Sequence, residues 1–321
     1  MAANKALWVN NAGFKLGTSM FAKHGAGSGT VKEIVHDGDT ANVQLTKNLG
    51  VRFLGMDTPE ISFQLPGSSS FVSIADNRWQ IFFTNNNWQN PQLEAGLLQY
   101  LSAKIGDGLN THTNHNALAV EAQISLENLI QADLGTSGKT KETFAFFMAF
   151  ANEFLDVYGR LLTYLHADRE NFTNAADAPP LSYNERQMIA GFGEPYFIWP
   201  NIQPFISIRP FATDFLSPEG FWNTVNTGNK LQHSRQAFKD ARAAKKGIYQ
   251  QGKELMLSAF ELRFLARKSK PDRYVIDLRN TGSKELISPQ KYYVVQNPED
   301  RLFIPSEYIP VFKLNGWNAA I

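Results

Sequence analysis

The feature that most limits what this chain can become is the run "TVKEIVHDGDTANVQLT", residues 30 to 46, followed three residues later by "GVRFLGM". Polar and apolar residues alternate in two pieces on either side of "HDGDT", an Asp-Gly stretch of the kind that turns a chain back on itself. "GVRFLGM" reads as a third strand. Three short strands joined by tight turns open an antiparallel sheet or a small barrel.

Helices follow. "PQLEAGLLQYLSAKI" places Leu93, Leu97, Leu101 and Ile105 on one stripe, with Pro91 near its start and Gly106 after its end. "NALAVEAQISLENLIQADLG" reads as a helix capped by Asn116 and stopped by Gly135. "SYNERQMIAGFG" has Ser182 as cap, Glu185 three residues on as capping-box partner, and glycine at its end. "KLQHSRQAFKDARAAKKG" is a helix ending in two lysines and Gly247. "ETFAFFMAFANEF" and "GRLLTYLH" read as strands around the turn "LDVYG". Residues 1–28 are Gly- and Asn-rich and suggest a loosely attached arm. Residues 61–90 suggest a long loop, 202–228 an irregular stretch, and 251–321 a small β-rich extension with the runs "YVIDLR", "KYYVVQ" and "RLFIPSEYIPVF".

The 321-residue chain has no cysteine, which excludes disulfides, thiolate nucleophiles and thiolate metal sites. Its net charge of +1 gives no strong global field toward nucleic acid or anionic membrane. From Arg235 to Arg273, eleven Lys/Arg face four Asp/Glu, a run that reads as a solvated helix face. "FAFFMAFA" is too short to span a bilayer. The first twenty residues hold no continuous apolar core of a signal peptide.

Three pieces carry chemistry: "HDGDT" (Asp37, Asp39, Thr40), "VRFLGMDTPE" (Arg52, Asp57, Thr58, Glu60) and "DVYGR" (Asp156, Tyr158, Arg160). Each falls at a strand end or turn, where working residues concentrate. "DTPE" alone would also cap a helix, but a cap needs one acceptor, and here two acids follow an arginine. A short hairpin can set Asp39 beside Asp57. Two carboxylates in contact repel unless a cation or a proton intervenes. With oxygen ligands only, Ca²⁺ is the natural ion and Mg²⁺ the second choice. Glu60 can then take a proton from a polarised water. Arg52 and Arg160 present planar, permanently charged forks suited to a phosphate. Metal, base and two arginines describe phosphodiester hydrolysis.

In this order, "VHDGDT…VRFLGMDTPE…DVYGR" resembles the staphylococcal nuclease (thermonuclease) family over roughly residues 28–250, with gaps. The resemblance implies an α+β fold: an OB-type five-stranded antiparallel barrel with about three packed helices, spanning 29–250. It implies Ca²⁺ ligation by Asp39, Asp57 and the main-chain carbonyl of Thr58, with Asp37 and Asp156 as nearby acids. Glu60 would be the general base, and Arg52 and Arg160 would bind the scissile phosphate. Tyr158 and Tyr196 fall where the family places aromatics near the nucleotide. The expected activity is hydrolysis of DNA or RNA with little sequence preference, leaving the phosphate on the 3′ side. The alternative is a module of this fold that binds nucleic acid or protein without cleaving. A weak Ca²⁺ site suits a calcium-rich exterior, so secretion or a periplasmic location is expected over cytosol. The chain departs from the family in the 96 residues from Glu60 to Asp156, more than twice the family's usual interval, with insertions at 61–90, 106–143 and 202–228. Of other signals, "HTNH" (His112, His115) looks like a polar loop, and "NRWQIFFTNNNW" offers aromatics that could stack on bases.

Overall fold

In a computed structural model, residues 7–10, 13–16, 20–21, 31–44, 48–156, 160–202 and 213–319 are described. The alternating run becomes β4 (Val35–Asp37) and β5 (Thr40–Gln44), antiparallel across the Asp-Gly turn. β5 pairs along its length with β6 (Asn48–Phe53), and Thr40 lies opposite Arg52. After Leu54 the chain continues as β7 (Gly55–Asp57) in a different sheet.

Two glycines make these turns feasible. Gly55 has φ +80, a left-handed conformation that glycine adopts without strain, and a side chain there would meet the Tyr164 hydroxyl at 2.8 Å. Gly38, in the Asp-Gly turn, sits against a helix: a Cβ would lie 2.6 Å from that of Ala122 and 3.0 Å from Thr58 Cγ2.

The residues expected to be an arm include β1 (Leu7–Asn10) and β2 (Gly13–Leu16), paired antiparallel, and β3 (Met20–Phe21), which adds to β5. The first sheet has the order β10-β11-β6-β5-β3, where β10 is Phe146–Ala149 and β11 is Leu161–Ala167, with β4 also on β5. β11 runs parallel to β6, setting Leu162 beside Arg52.

A second sheet stands beside the five strands expected to form a barrel. Its order is β13-β15-β12-β7, with β12 Glu194–Ile198, β13 Tyr274–Asp277 and β15 Arg301–Ile304. β12 pairs antiparallel with β7 on one side and parallel with β15 on the other. The fold is α+β, but its sheets are open and mixed, and no ladder closes a barrel among the described residues. The five strands read from the sequence, β4, β5, β6, β11 and β10, all lie in the first sheet, whereas β12 belongs to the second, where it joins β7 to β15 of the C-terminal segment.

The expected loop at 61–90 is ordered: hairpin β8/β9 (Ser62–Gln64, Phe71–Ser73) and helix α2 (Asn77–Thr84), capped by Asp76. Trp79, Phe82, Phe83 and Trp88 are buried in the core there, so these rings are packing and not a stacking platform for bases. Short helix α1 (Val31–Ile34) precedes β4. α3 (Ala95–Ile105) buries Leu97, Leu101 and Ile105 on the anticipated stripe, Leu93 just ahead of it is buried too, and Gly106 follows as its C-cap. α4 runs Thr111–Ser137, six residues earlier than a cap at Asn116 would start it. "HTNH" is therefore helical, and His112 and His115 occupy buried positions in the stripe that continues through Leu118, Ala119, Ala122, Leu126 and Ile130.

α5 (Tyr183–Ala190) carries the capping box of Ser182 and Glu185. The stretch 202–228 is helical where described, as α6 (Thr213–Leu216) and α7 (Pro218–Thr227), and α8 is Asn229–Ala243. The C-terminal segment is more than strands. It begins with helix α9 (Ala259–Ala266), "KYYVVQ" forms a 3-10 turn (Pro289–Val294), and α10 is Ile309–Leu314. β14 (Glu285–Leu286) and β16 (Asn318–Ala319) pair parallel. The basic run divides here: Arg235 of α8 reaches Asp300 at 2.7 Å and Arg242 pairs with Glu299, tying the segment to the body. Among the described residues no helix is long and apolar enough to cross a membrane.

Candidate active site

The site is built where β6 passes into β7. The Asp-Gly turn is held against α4 and α5 by Gln187, whose Nε2 donates to the carbonyls of Gly38 (3.1 Å) and Ala122 (2.8 Å). Asp39 is thereby fixed beneath the strand crossing. Its Oδ2 accepts the Thr58 N–H at 3.1 Å and its Oδ1 the Thr40 hydroxyl at 3.1 Å. Asp37 Oδ1 faces the Asp39 N–H at 3.4 Å. No helix follows "DTPE": Thr58–Glu60 are extended-loop residues leading into β8, so the cap reading is not realised.

Arg52 Nη2 donates to Asp57 Oδ1 at 2.6 Å and lies 3.6 Å from Asp39 Oδ2. Arg160 is oriented by Asp156, which accepts its Nε at 2.7 Å and its backbone N–H at 2.9 Å, and Arg160 Nη1 lies 3.4 Å from Thr40 Oγ1. The arginine stem passes over Gly50, where a Cβ would lie 3.0 Å from Arg160 Cγ. A polar chain thus runs from Asp156 through Arg160, Thr40, Asp39 and Arg52 to Asp57. Tyr158 lies outside the described residues.

Two further residues belong here that sequence reasoning did not find. Arg263 of α9 donates both Nη groups to Asp57, and its Nη1 also reaches Glu60 Oε1 at 2.6 Å. His115 of α4 accepts the Glu60 backbone N–H on Nε2 at 2.8 Å, and its Nδ1 faces the Leu257 carbonyl at 3.1 Å. The two bonds fix the tautomer: Nδ1 carries the proton and donates, Nε2 accepts. Burial pushes this imidazole down to about 4, so it is neutral near pH 7.

Tyr196 of β12 lies under the same arginine. Arg263 sits over its ring at 5.8 Å and Arg273 at 5.7 Å, and Arg273 Nη1 donates to its hydroxyl at 2.5 Å. Two rings pack on it, Phe303 tilted at 5.0 Å and Phe260 stacked at 5.8 Å. The ring is buried, held by cations of the C-terminal segment.

The acids do not share one environment. Burial would raise Asp57, but Arg263 and Arg52 outweigh it and hold this carboxyl well below the usual range. Asp39 is pushed well up, by burial first and by Asp37 next, with Arg52 only partly opposing. Asp37 and Glu60 are also raised, chiefly by burial. Four acids therefore face two close guanidinium groups, and the deficit falls on Asp37 and Asp39.

A hard cation suits that deficit chemically. The available donors are all oxygen, and the buried Thr58 Oγ1 finds no hydrogen-bond partner among the described residues. The arrangement, however, has Arg263 in it: Asp57 is engaged by two guanidinium groups. Among the described residues no three acidic or imidazole side chains are grouped so as to hold a metal ion. No protein-family model matches the chain, and no curated protein matches it.

Proposed function

We propose that the chain is a phosphodiester hydrolase acting on DNA or RNA, a thermonuclease-like enzyme in which β4–β7 and β10–β12 take the place of the OB-type barrel. The observation that carries this reading is one hydrogen-bonded cluster uniting Asp39, Arg52, Asp57, Glu60 and Arg160, from three separate stretches of sequence. Arg52 and Arg160 bind the non-bridging phosphoryl oxygens and stabilise charge as it builds there. Glu60, raised by burial, takes the proton from the attacking water. His115, by holding the Glu60 backbone, fixes where that carboxylate can reach. Asp39, Asp57 and the Thr58 carbonyl would hold Ca²⁺, or Mg²⁺ as second choice, whose chemistry is to polarise the phosphoryl group and its bound water. Recognition is of the phosphate backbone, so binding weakens as salt rises. An exported, calcium-rich setting goes with this reading.

The engagement of Asp57 and Glu60 by Arg263 favours a second reading, a binding module whose acids are locked in ion pairs. One assay separates the two: plasmid and single-stranded DNA and RNA, incubated with Ca²⁺, Mg²⁺ or a chelator. Hydrolysis that Glu60→Gln and Arg160→Ala each lower by roughly 10²-fold or more supports the enzyme. Absence of cleavage under every divalent ion, with retention of labelled oligonucleotide, supports the module.

A further inference from the structure

The placement of Arg263 is built rather than incidental. The N-terminus of α9 is anchored by Glu194, whose Oε2 accepts the Ala259 N–H at 3.1 Å, and Glu194 is the cross-strand partner of Asp57. Glu261, in the same first turn, accepts the Ser258 N–H at 2.9 Å, Lys104 Nζ at 2.5 Å and the Tyr292 hydroxyl at 2.7 Å. Just ahead of the helix, the Leu257 carbonyl accepts the His115 Nδ1–H. Held from three sides, α9 delivers a guanidinium whose side chain is only 13% exposed and whose central carbon lies over the Tyr196 ring. Its fork spans Asp57 and Glu60, the acid read as a cation ligand and the acid read as the base.

We propose that Arg263 is a tethered counter-ion that competes with a divalent cation for Asp57, so that the C-terminal segment sets how tightly the site takes up metal. This rests on the reading of the pocket as a cation and phosphate site. A guanidinium and a divalent ion cannot both use the same carboxylate oxygens at close range, because like charges in a desolvated pocket repel strongly. Arg263 must therefore release Asp57 before the cation is held there. The same release frees Glu60 from its ion pair. Arg52, on the neighbouring strand, keeps Asp57 neutralised in the interval.

The test is a calorimetric titration of the full chain with Ca²⁺ alone, without nucleic acid, in wild type, Arg263→Gln and Arg263→Lys. Loss of the competing charge tightens Ca²⁺ binding at least tenfold in Arg263→Gln. Arg263→Lys, which keeps the charge but not the fork, falls between. Asp39→Asn in the Arg263→Gln background abolishes the gain, which places the ion. Should Arg263→Gln fail to fold by circular dichroism, Arg263→Lys alone decides: tighter binding than wild type supports the inference, and equal or weaker binding overturns it. Equal or weaker binding in a folded Arg263→Gln overturns it, as does absence of Ca²⁺ binding in every protein. A chain that binds Ca²⁺ more tightly without Arg263 yet cleaves nothing refutes the hydrolase and keeps the counter-ion. Cleavage with unchanged Ca²⁺ affinity does the reverse.

Discussion

His115 makes the stability of this protein depend on pH in a way that can be isolated. Its ring is fully buried, and its proton is committed to the Leu257 carbonyl. In the folded chain it titrates at about 4, against 6.5 for the ordinary imidazole. Burial is the main cause. The charges around it oppose one another: Arg263 disfavours the imidazolium, Asp57 and Glu261 favour it. Between pH 4 and 6.5 the unfolded chain binds a proton that the native chain does not. Stability is therefore complete above 6.5 and is lost as pH falls toward 4. At 1.36 kcal/mol per pH unit the full effect is about 3 kcal/mol, most of which falls between pH 7.5 and 4.5. The assay is urea unfolding at half-unit steps across that range, for wild type and His115→Gln. Glutamine keeps an acceptor for Glu60 and a donor for Leu257 but takes no proton. His166 and His112 are also depressed and acid-sensitive, but they are common to both proteins and cancel in the difference. The difference in unfolding free energy should shrink by about 2–3 kcal/mol as pH drops from 7.5 to 4.5. Parallel curves would refute the reasoning, and with it the neutral tautomer assigned to His115.

Two other outcomes follow from packing. Gly38→Ala places a methyl 2.6 Å from the Ala122 Cβ, and should cost about 1–3 kcal/mol in chemical unfolding while displacing Asp39 and lowering any Ca²⁺ affinity. Arg235→Met removes the partner of Asp300 and of the Glu299 carbonyl, and should cost about 1.5–3 kcal/mol in unfolding and increase proteolysis of the 251–321 segment.

Much of the site was legible because its parts lie on adjacent strands. Thr40 and Arg52 are register partners, so reading one short hairpin correctly brings Asp39, Arg52 and Asp57 together. The helix of "SYNERQMIAGFG" was equally plain, since both halves of its capping box are local. The misses share a different cause. Arg263 lies 203 residues from Glu60, and its destination is set by how α9 docks. A signal was present: "AFELRFLA" is almost wholly apolar, and an arginine embedded in such a helix must find acids. "HTNH" was misread because Thr, Asn and His are weak helix formers, and here burial overrides that preference. The second sheet was not legible for a topological reason: nothing in β12 announces that "RLFI", over a hundred positions later, will be its neighbour.

That distant neighbour has a consequence for the order of events during synthesis. β7 and β12 can pair as soon as both have left the ribosome, yet the outer edge of β12 stays unsatisfied until residues 301–304 arrive. Arg263 emerges between those two moments. A nascent chain thus carries its acids for some time before the charge that balances them is made, and because Phe260 of α9 packs on Phe303 of the last strand, the counter-ion and the closing of this sheet edge depend on each other.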